Sequence, residues 1–468
     1  MNDPIHFNNE PVSNQTRASL TKHEPKSLRT FTPSQAVFAK SAGVFHWTPE
    51  ERRLYDYSSG VLVANLGHNP RRWMRRFFDY LGWNESIFSN DDQEYYPAVT
   101  MTAYNAMTGL EATATERLCQ SLQSFPGGNR LEQVMWSASG SEAVQKALWA
   151  CLHRDHDRKL ILATRHGFHG KKGLAGAVTG SEESPDRDPR VKFISFPMEE
   201  CDDIDSPSKP LDLQCYQDEL DQLWQEHGEQ INCLITEPYL GGGGSFHPPK
   251  EYLQMVQAWC REHDIAFILD EVQANFGRTG KMYAFEAYGL EPDFVCLGKG
   301  LGNGVPVSAA VGRADIMAHM SFGEASDTWS ANPISCAAVL ATLDEFESTN
   351  VMEQTQKLNE IFTAGLLKLK ESPIIAKIRG EGLVYGVECA PVGEHTGGDV
   401  ANAIVKECYL GESDGDGIHL LGALATKVLR VSPPMTMTEE QAHTSLELFT
   451  RLIQRTAEKL QPEAAVSN

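Results

Sequence analysis

The sequence predicts an α/β fold built on a mostly parallel sheet that has helices on both faces. Two apolar runs, 265–269 and 293–297, hold the β-branched and aromatic residues that are typical of strands buried on both faces. Strand and helix patterns also alternate from about residue 130 to 345, as in a doubly wound sheet. A chain of 468 residues exceeds one small core, so we expect a large domain and a smaller one.

Charged side chains follow both apolar runs. Asp270 and Glu271 come directly after the first run, and Lys299 lies in a glycine-rich turn, 298–302, after the second. Ligands of open α/β sheets bind at the carboxyl ends of the strands, so these residues are placed for chemistry. Spacing alone leaves a buried ion pair equally open as an interpretation.

Three motifs surround these residues: Asp270-Glu-Val-Gln273, Phe276-Gly-Arg-Thr-Gly-Lys281 and Leu297-Gly-Lys-Gly-Leu-Gly302. Together they resemble the signature of class III aminotransferases, the ornithine and γ-aminobutyrate aminotransferase-like branch of the pyridoxal phosphate enzymes. The likeness extends from about Gly43 to about Leu448 and is specific for the family, not for the substrate. It implies the α/β fold of PLP-dependent transferases of fold type I. In that fold a large domain has a mostly parallel sheet of the seven-stranded type, and both termini form a smaller α/β domain.

Pattern and resemblance together divide the chain into four segments. We expect a flexible N-terminal arm over residues 1–32 and an N-terminal part of the small domain over 33–90. The large cofactor-binding domain then covers 91–348, and 349–468 complete the small domain. The arm is polar and has no apolar core, so it resembles neither a signal peptide nor a transit sequence.

The first candidate binding element is a strand at 133–136 that leads through small residues into a helix. A helix N-terminus offers backbone N–H groups to an anion, so Gly140 and Ser141 are candidates for binding a phosphate. An ordinary serine N-cap is the alternative, and without the family resemblance it would be the preferred interpretation.

The next strand, 159–164, runs into His166-Gly-Phe-His-Gly170, which resembles the family's aromatic-His-Gly turn. The resemblance implies that Phe168 stacks on the cofactor ring and that His169 also belongs to the cofactor site. A metal site at His166 and His169 lacks a third ligand, so we expect no metal there.

A further buried strand begins at Ile231 and has Glu237 at its carboxyl end, so we include Glu237 among the cofactor-binding residues. The turn 241–244 follows. Gly242 stands where the family usually has an acid or an alanine, which is a departure from its pattern.

The resemblance implies pyridoxal 5′-phosphate as cofactor and assigns the two catalytic residues. Lys299 forms the resting Schiff base with it and later serves as general base and acid. Asp270 pairs with the pyridinium nitrogen and raises its pKa, which makes the ring a deeper electron sink.

The remaining cofactor contacts also follow from the resemblance. Val272 packs under the ring, opposite Phe168, and Gln273 bonds the ring hydroxyl. Thr328 completes the phosphate site from the other subunit, which implies a homodimer with a shared active site.

Two cations are candidates for substrate binding. Arg430 matches the family arginine that clamps a substrate carboxylate. The glutamate that neutralises this arginine in relatives would fall at Gly242, so we expect Arg430 to stay open or to find another partner. Lys171 is a candidate for the far carboxylate of 2-oxoglutarate, with a solvated lysine as the alternative.

The function that these residues predict is an aminotransferase. It would move an amino group, terminal in position, from an amine or amino acid to 2-oxoglutarate or pyruvate in ping-pong half-reactions. Two alternatives remain open. One is an aminomutase, racemase or decarboxylating relative on the same fold, and the other is a binding protein that has lost the reaction.

Composition argues against several other classes. The net charge is −22 and the pI about 5.1, which argues against nucleic acid or an anionic membrane as partner. No window approaches the roughly eighteen apolar residues of a membrane span. The 10 cysteines form no CxxC pairs, so we expect free thiols, no zinc site and a cytoplasmic enzyme.

Overall fold

The structure is a computed structural model, and it describes residues 4–83, 94–184, 187–201, 203–205, 209–413 and 415–461. The chain forms two compact units. The terminal unit consists of Met1–Pro70, Asp203–Pro207 and Glu353–Asn468, and the central unit of Arg71–Asp202 and Ser208–Met352. The predicted boundary between 33–90 and 91–348 lies outside the described residues.

The described residues contain strands in both units. In chain order they are β1 (Lys40–Ala42), β2 (Phe45–Trp47), β3 (Arg53–Asp56), β4 (Gln133–Ser137), β5 (Leu160–Thr164), β6 (Val191–Ile194), β7 (Ile231–Thr236), β8 (Ala266–Asp270), β9 (Phe294–Leu297), β10 (Ser308–Gly312), β11 (Ile375–Glu381), β12 (Val384–Cys389), β13 (Gly417–His419) and β14 (Val428–Val431).

Helices alternate with these strands. In chain order they are α1 (Pro11–His23), α2 (Ser59–Leu62), α3 (Arg71–Leu81), α4 (Gly109–Gln123), α5 (Gly140–Arg154), α6 (Gly173–Ala177), α7 (Leu213–His227), α8 (Lys250–Glu262), α9 (Ala284–Tyr288), α10 (Ala314–Met317), α11 (Pro333–Ser348), α12 (Val351–Leu367), α13 (Gly397–Leu410) and α14 (Glu439–Leu460).

A seven-stranded sheet forms the middle of the central unit, in the order β4-β10-β9-β8-β7-β5-β6. The five strands β6, β5, β7, β8 and β9, in sheet order, run parallel to one another. Strand β10 runs antiparallel to both β9 and β4. Every residue of β7, β8, β9 and β10 is buried, which explains their nearly continuous apolar sequences. The prediction of a mostly parallel α/β sheet is confirmed.

Helix α5 packs on this sheet against β4, β9 and β10. Its buried residues include Ala143, Val144, Ala147, Leu148 and Cys151, which follow the three- and four-residue spacing of one helix face. Small alanines on that face let the helix backbone approach the strands closely. The N-terminus of α5 is thereby held at the edge where the strands end.

The terminal unit has two smaller sheets. One has the order β1-β2-β3-β13, in which β13 pairs parallel with β3, and the other is the antiparallel sheet β11-β12-β14. Helix α14 begins after Thr438, whose side chain forms a capping box with Gln441. It packs against α13.

The N-terminal segment contains helix α1, in the region where we expect a flexible arm. Arg17 is buried and pairs with the carboxylate of Glu10 at 2.6 Å, and it also donates to the hydroxyl of Tyr409 at 2.9 Å. Phe7 packs against Leu54 and Tyr409 in the same cluster. The segment is anchored by an ion pair and one aromatic side chain, not by an apolar stripe. Its hydropathy pattern therefore resembles that of a solvated tail.

Two further properties concern the whole chain. The 10 cysteines are free thiols, and most of them are buried among apolar side chains. None of the helices in the described part of the chain has the length and apolar character needed to cross a membrane.

Candidate active site

Strands β8 and β9 bring a carboxylate and a lysine to one edge of the central sheet. The strands are parallel neighbours, and Asp270, the last residue of β8, pairs in register with Cys296. Strand β9 ends one residue later, and Gly298 and Lys299 follow it. Asp270 and Lys299 therefore lie at the carboxyl ends of adjacent strands, where ligands of open α/β sheets bind.

Asp270 is a buried carboxylate whose two oxygens are both engaged. Its Oδ2 lies 2.7 Å from Nδ1 of His169, and its Oδ1 accepts the backbone N–H of Val272 at 3.0 Å. His169 is itself held in place, because its backbone N–H donates to Oγ1 of Thr179 at 2.8 Å. The contact with His169 and the hydrogen bond from Val272 together fix the orientation of the Asp270 carboxylate at the sheet edge.

Glu237 organises the turn that carries Phe168. Its carboxylate accepts the backbone N–H of Phe168 at 2.9 Å and that of Gly241 at 3.2 Å. Burial raises the pKa of Glu237 to about 7. The ring of Phe168 is 45% exposed, so one face is available to a ligand. Glu237 thus positions two backbone turns beside the strand ends.

Glu271 has a different role from its neighbour Asp270, although the sequence placed both at the end of β8. Its two carboxylate oxygens accept the backbone N–H groups of Ala284 and Phe285, each at 2.7 Å. Burial raises the pKa of Glu271 to about 8. Glu271 therefore holds the first turn of α9 and does not face the site.

The N-terminus of α5 lies close to the loop after β8. Ser139 caps the helix and forms a capping box with Glu142. A Cβ on Gly140 would lie 2.8 Å from Cγ1 of Val272, and a Cβ on Gly170 would lie 2.0 Å from Oγ of Ser141. Gly140 thus allows the helix N-terminus to approach the loop after β8, and Gly170 allows the turn after β5 to approach the same helix N-terminus.

Val272 and Gln273 are surrounded by further glycines. A Cβ on Gly298 would lie 3.2 Å from Cγ1 of Val272, and a Cβ on Gly241 would lie 2.0 Å from Oε1 of Gln273. That oxygen is buried and has no hydrogen-bond partner among the described residues. A buried amide oxygen of this kind gains from a donor supplied by a ligand.

The backbone at Lys299 is strained. Lys299 has φ +48° and begins a short 3₁₀ helix, Lys299–Leu301. Left-handed backbone at a residue other than glycine costs about 1–3 kcal/mol and persists where surrounding contacts enforce it. Asn275 supplies one such contact, because its Nδ2 donates to the carbonyl oxygens of Glu271 and Gly298 at 2.6 and 3.1 Å.

Thr328 is exposed in a turn that a buried lysine fixes. Nζ of Lys146, on α5, donates to Oδ2 of Asp327 at 2.7 Å and to the carbonyl oxygen of Trp136 at 2.6 Å. Oγ of Ser330 donates to the same Trp136 carbonyl at 2.7 Å. The side chain of Thr328 is thereby presented on the surface of the central unit.

The two candidate substrate residues belong to different units of the chain. Lys171 is exposed in the central unit. Arg430 belongs to the terminal unit, where it is buried on β14 and pairs in register with Gly386. A Cβ on Gly242 would lie 3.0 Å from Cβ of Phe168, so this glycine leaves room for the Phe168 turn. The substrate-binding roles of Lys171 and Arg430 stay predictions.

Sequence reasoning did not identify Lys146 or Asn275. A lysine at a buried position of an otherwise apolar helix face is a weak signal for Lys146, because such a charge needs partners. No sequence signal indicates that Asn275 joins two loops. The Ser139 capping box, by contrast, is visible as a serine followed three residues later by glutamate.

Pyridoxal 5′-phosphate, the cofactor that the resemblance implies, fits this arrangement. Nε2 of His169 and Oε1 of Gln273 are buried without hydrogen-bond partners among the described residues. The glycines around Val272 let the backbone pack closely against this side chain, and the N-terminus of α5 suits a phosphate. Asp270 offers a carboxylate to a ring nitrogen, and Lys299 offers an amine to an aldehyde.

Comparison with known proteins gives the same result. Residues 93–453 match the family model described as Aminotransferase class-III. Ornithine aminotransferase of Emericella nidulans is 26% identical over an alignment of 458 residues that covers 93% of this chain and 90% of that protein. Putrescine aminotransferase of Pectobacterium atrosepticum is 37% identical over 226 residues, so the match spans about half of each protein, 47% of this chain and 46% of that one.

Solved structures share the fold. An ornithine aminotransferase from Toxoplasma gondii ME49 superposes with a TM-score of 0.78 at 20% identity, covering 96% of both chains. The family model matches most of the chain, including every residue of the cofactor cluster at the β8 and β9 strand ends. The chain is therefore an enzyme of the class III aminotransferase family, whose members use pyridoxal 5′-phosphate.

Proposed function

We propose that this enzyme moves a terminal amino group from an amine or amino acid to 2-oxoglutarate or pyruvate, in two half-reactions of a ping-pong cycle. The observation that carries the proposal is the geometry of Asp270, which His169 orients at 2.7 Å beside the strand that delivers Lys299. The similarity to a putrescine aminotransferase supports a terminal amine, because both amino groups of putrescine are terminal.

Pyridoxal 5′-phosphate, when bound, supplies an electron sink for the bonds of the substrate amine carbon. In our proposal Lys299 holds the cofactor aldehyde and then moves a proton at the substrate carbon as general base and acid. Asp270 keeps the ring nitrogen protonated by charge pairing. The hydrogen bond from His169 keeps Asp270 oriented for this task.

The other contacts divide among the surrounding turns. Gly140 and Ser141 would bind the phosphate through the N-terminus of α5. Phe168 and Val272 would enclose the ring, and Gln273 would use its unpaired oxygen for the ring hydroxyl. Glu237 holds the Phe168 turn in place by accepting the backbone N–H of Phe168 at 2.9 Å.

We also propose a homodimer in which Thr328 of the partner subunit completes the phosphate site. Thr328 is exposed, and so are the apolar side chains of Phe322, Trp329 and Met107 in the same unit. Large exposed apolar side chains of this kind are typical of surfaces that a partner covers. A cytoplasmic location completes the proposal and is supported by the free thiols.

For the substrate, we propose that Arg430 pairs with a carboxylate of the amino acid or 2-oxo acid. A planar guanidinium can bind a carboxylate through two parallel hydrogen bonds. Gly242 has no side chain to neutralise such an arginine. Lys171 is the candidate for a second, distal carboxylate, and its exposure is compatible with either that role or a solvated one.

The test is a single half-reaction. The purified enzyme is mixed with an amino donor alone, and the visible absorbance of the cofactor is followed. An aminotransferase stops in the amine form of the cofactor, releases one equivalent of the oxo product and recovers its absorbance when a 2-oxo acid is added.

Two other outcomes overturn the proposal. An aminomutase, racemase or decarboxylase turns over the donor repeatedly and keeps the aldehyde form of the cofactor. A binding protein shows no change with any donor. A screen of amines and amino acids against 2-oxoglutarate and pyruvate then identifies the substrate pair.

A further inference from the structure

The terminal unit contains a cluster of imidazoles and a carboxylate that has no part in the cofactor site. His46 lies on β2, Asp56 ends β3, and His68 follows the turn that begins at α2. His419 lies on β13, in register with Asp56 across the parallel pair of β3 and β13. Three separate segments of the chain thus meet at one point of the four-stranded sheet.

The potential ligand atoms are close together. Nε2 of His68 lies 2.7 Å from Oδ2 of Asp56, and Nε2 of His46 lies 3.5 Å from the same oxygen. All ligand atoms of His46, Asp56 and His68 lie within 4.8 Å of one another. His46 and Asp56 are buried, whereas the side chain of His68 is 16% exposed and leaves a route from solvent.

Surrounding hydrogen bonds hold two of these ligands in place. Oδ1 of Asp56 accepts the backbone N–H of Ser58 at 2.7 Å, the hydroxyl of Ser58 at 2.6 Å and the backbone N–H of Ser59 at 3.1 Å. This leaves Oδ2 directed at the imidazoles. Nδ1 of His46 lies 2.7 Å from Oγ of Ser41. Outer hydrogen bonds that orient a ligand in this way are typical of metal sites.

Two ring nitrogens in the cluster lack a hydrogen-bond partner among the described residues. They are Nε2 of His46 and Nδ1 of His419, and both rings are more than nine-tenths buried. Phe38 stacks on His46 with ring centroids 3.9 Å apart and contacts the edge of His419 at 4.8 Å. Buried polar atoms without a partner are rare in native proteins. The unpartnered Nε2 of His46 therefore indicates a site that a ligand could fill.

We propose that His46, Asp56 and His68 bind one Zn²⁺ ion through the two Nε2 atoms and Oδ2. Two imidazoles and a carboxylate are a ligand set that zinc prefers, at about 2.0–2.2 Å from each donor atom. The ion would replace the direct contact between His68 and Asp56 and give Nε2 of His46 its partner. The cluster contains neither a cysteine pair nor HxxH spacing, so no sequence motif indicates a zinc site here.

The ion has a structural role in this proposal. Ser59, Gly60, Val61 and Leu62 all have positive φ, between +46° and +69°, which is unusual backbone for residues other than glycine. Asp56 and His68 lie on either side of this left-handed turn. Zinc held by both would fix the ends of the strained segment and link it to β2 through His46.

The test uses the full-length enzyme with its cofactor bound, after treatment with a chelator and removal of the chelator. Zinc is added in slight excess, unbound metal is removed by gel filtration, and zinc per chain is measured by elemental analysis. We expect one Zn²⁺ per chain in the wild type and in His443→Asn, which alters an exposed histidine of α14. His46→Asn and Asp56→Asn should bind at least tenfold more weakly.

Thermal unfolding gives a second readout, because a ligand that binds only the folded state raises the melting temperature. Added zinc should raise it in the wild type and in His443→Asn but not in His46→Asn. If the cluster variants fail to fold, the visible absorbance spectrum of Co²⁺ added to the wild type tests the site instead. The intense visible absorbance of tetrahedral cobalt supports the site, and the weak spectrum of hydrated cobalt overturns it. Equal zinc binding by all variants, or none by the wild type, also overturns it.

Discussion

Asp270 and Glu271, two adjacent acids at the end of β8, have different partners in the structure. Successive side chains of an extended chain point in opposite directions. Asp270 therefore faces His169 at the sheet edge, whereas Glu271 faces the backbone N–H groups of α9. Their sequence context is the same, so we expect substitutions of the two residues to have different consequences.

The first prediction compares Asp270→Asn with Glu271→Gln. Asp270→Asn keeps the shape of the side chain but removes the charge that, in our proposal, pairs with the ring nitrogen of the cofactor, so turnover should fall by about 10²–10³-fold. Glu271→Gln leaves one of two buried N–H groups without an acceptor and should cost about 1–3 kcal/mol of folding free energy. Steady-state kinetics and urea unfolding measure both quantities. Equal losses of turnover in the two variants would contradict the assignment.

The second prediction concerns the pH dependence of stability. Burial raises the pKa of Glu271 from its ordinary value of 4.5 to about 8. An acid with a raised pKa in the folded state stabilises that state below its unfolded pKa, and this stability is lost as the pH rises through the folded value. Glu237 has the same sign of shift.

The contribution of Glu271 to the free energy of unfolding should accordingly decline between pH 4.5 and 8, and Glu271→Gln should remove this contribution from the pH profile. Unfolding in urea at a series of pH values measures the slope. A variant slope that matches the wild-type slope would show that Glu271 does not titrate in this range.

At the residue scale, the sequence predicts the site only where a motif is continuous. Asp270, Val272 and Gln273 are adjacent in the chain, so their letters and a strand end suffice to place them together. Lys146 and Asn275 act across 181 and 23 residues, on Asp327 and Gly298 respectively. Their partners become visible only when the chain folds.

In our proposal, the N-terminus of α5 is the element that links stability to cofactor binding. Ser139 and Glu142 satisfy N–H groups at the start of the helix, and they fix the direction of the groups at Gly140 and Ser141. Helix α13 in the terminal unit begins with an equivalent capping box, formed by Thr396 and Asp399. The two helices therefore offer a matched pair of substitutions.

The third prediction uses that pair. Ser139→Ala and Thr396→Ala should each cost about 1 kcal/mol of folding free energy through loss of a cap. Only Ser139→Ala should also weaken the binding of pyridoxal 5′-phosphate, by about tenfold, because only its helix faces the phosphate. Cofactor titration followed by absorbance measures the affinity. The same cofactor affinity in both variants would argue against a phosphate at α5.

Elements are predictable from the sequence where burial alone determines them. Strands β7, β8 and β9 are buried on both faces, and their short apolar runs, rich in β-branched and aromatic residues, therefore favour strands over helices. Helix α14 begins directly after Thr438, whose capping box with Gln441 is a recognisable sequence signal. Helix α1 is different, since it is anchored by the ion pair of Arg17 and Glu10 and not by an apolar stripe.

At the scale of the whole molecule, the proposed active site would depend on assembly of the proposed homodimer. Phe322 and Trp329 are exposed on the segment that carries Thr328. In a homodimer this surface would be covered, and the cofactor phosphate would gain a ligand. Loss of the dimer should then weaken cofactor binding without altering the residues of the strand ends.

The fourth prediction tests this dependence with Phe322→Glu. Loss of a buried phenylalanine at an interface should weaken dimerisation by about 10–100-fold, and cofactor affinity should fall with it. Leu28→Glu, which alters another exposed apolar side chain, in the terminal unit, serves as the control. Sedimentation over a range of concentrations measures the dimer. The account of a shared site is wrong if both variants remain dimers with full cofactor affinity.

The central claim is that Lys299 carries the cofactor, and its most direct test is chemical. The yellow holoenzyme is reduced with borohydride and digested, and the modified peptide is identified by mass spectrometry. The account predicts one adduct, on Lys299, and loss of the visible absorbance band. An adduct on another lysine, or a protein that stays colourless with added pyridoxal 5′-phosphate, would contradict it.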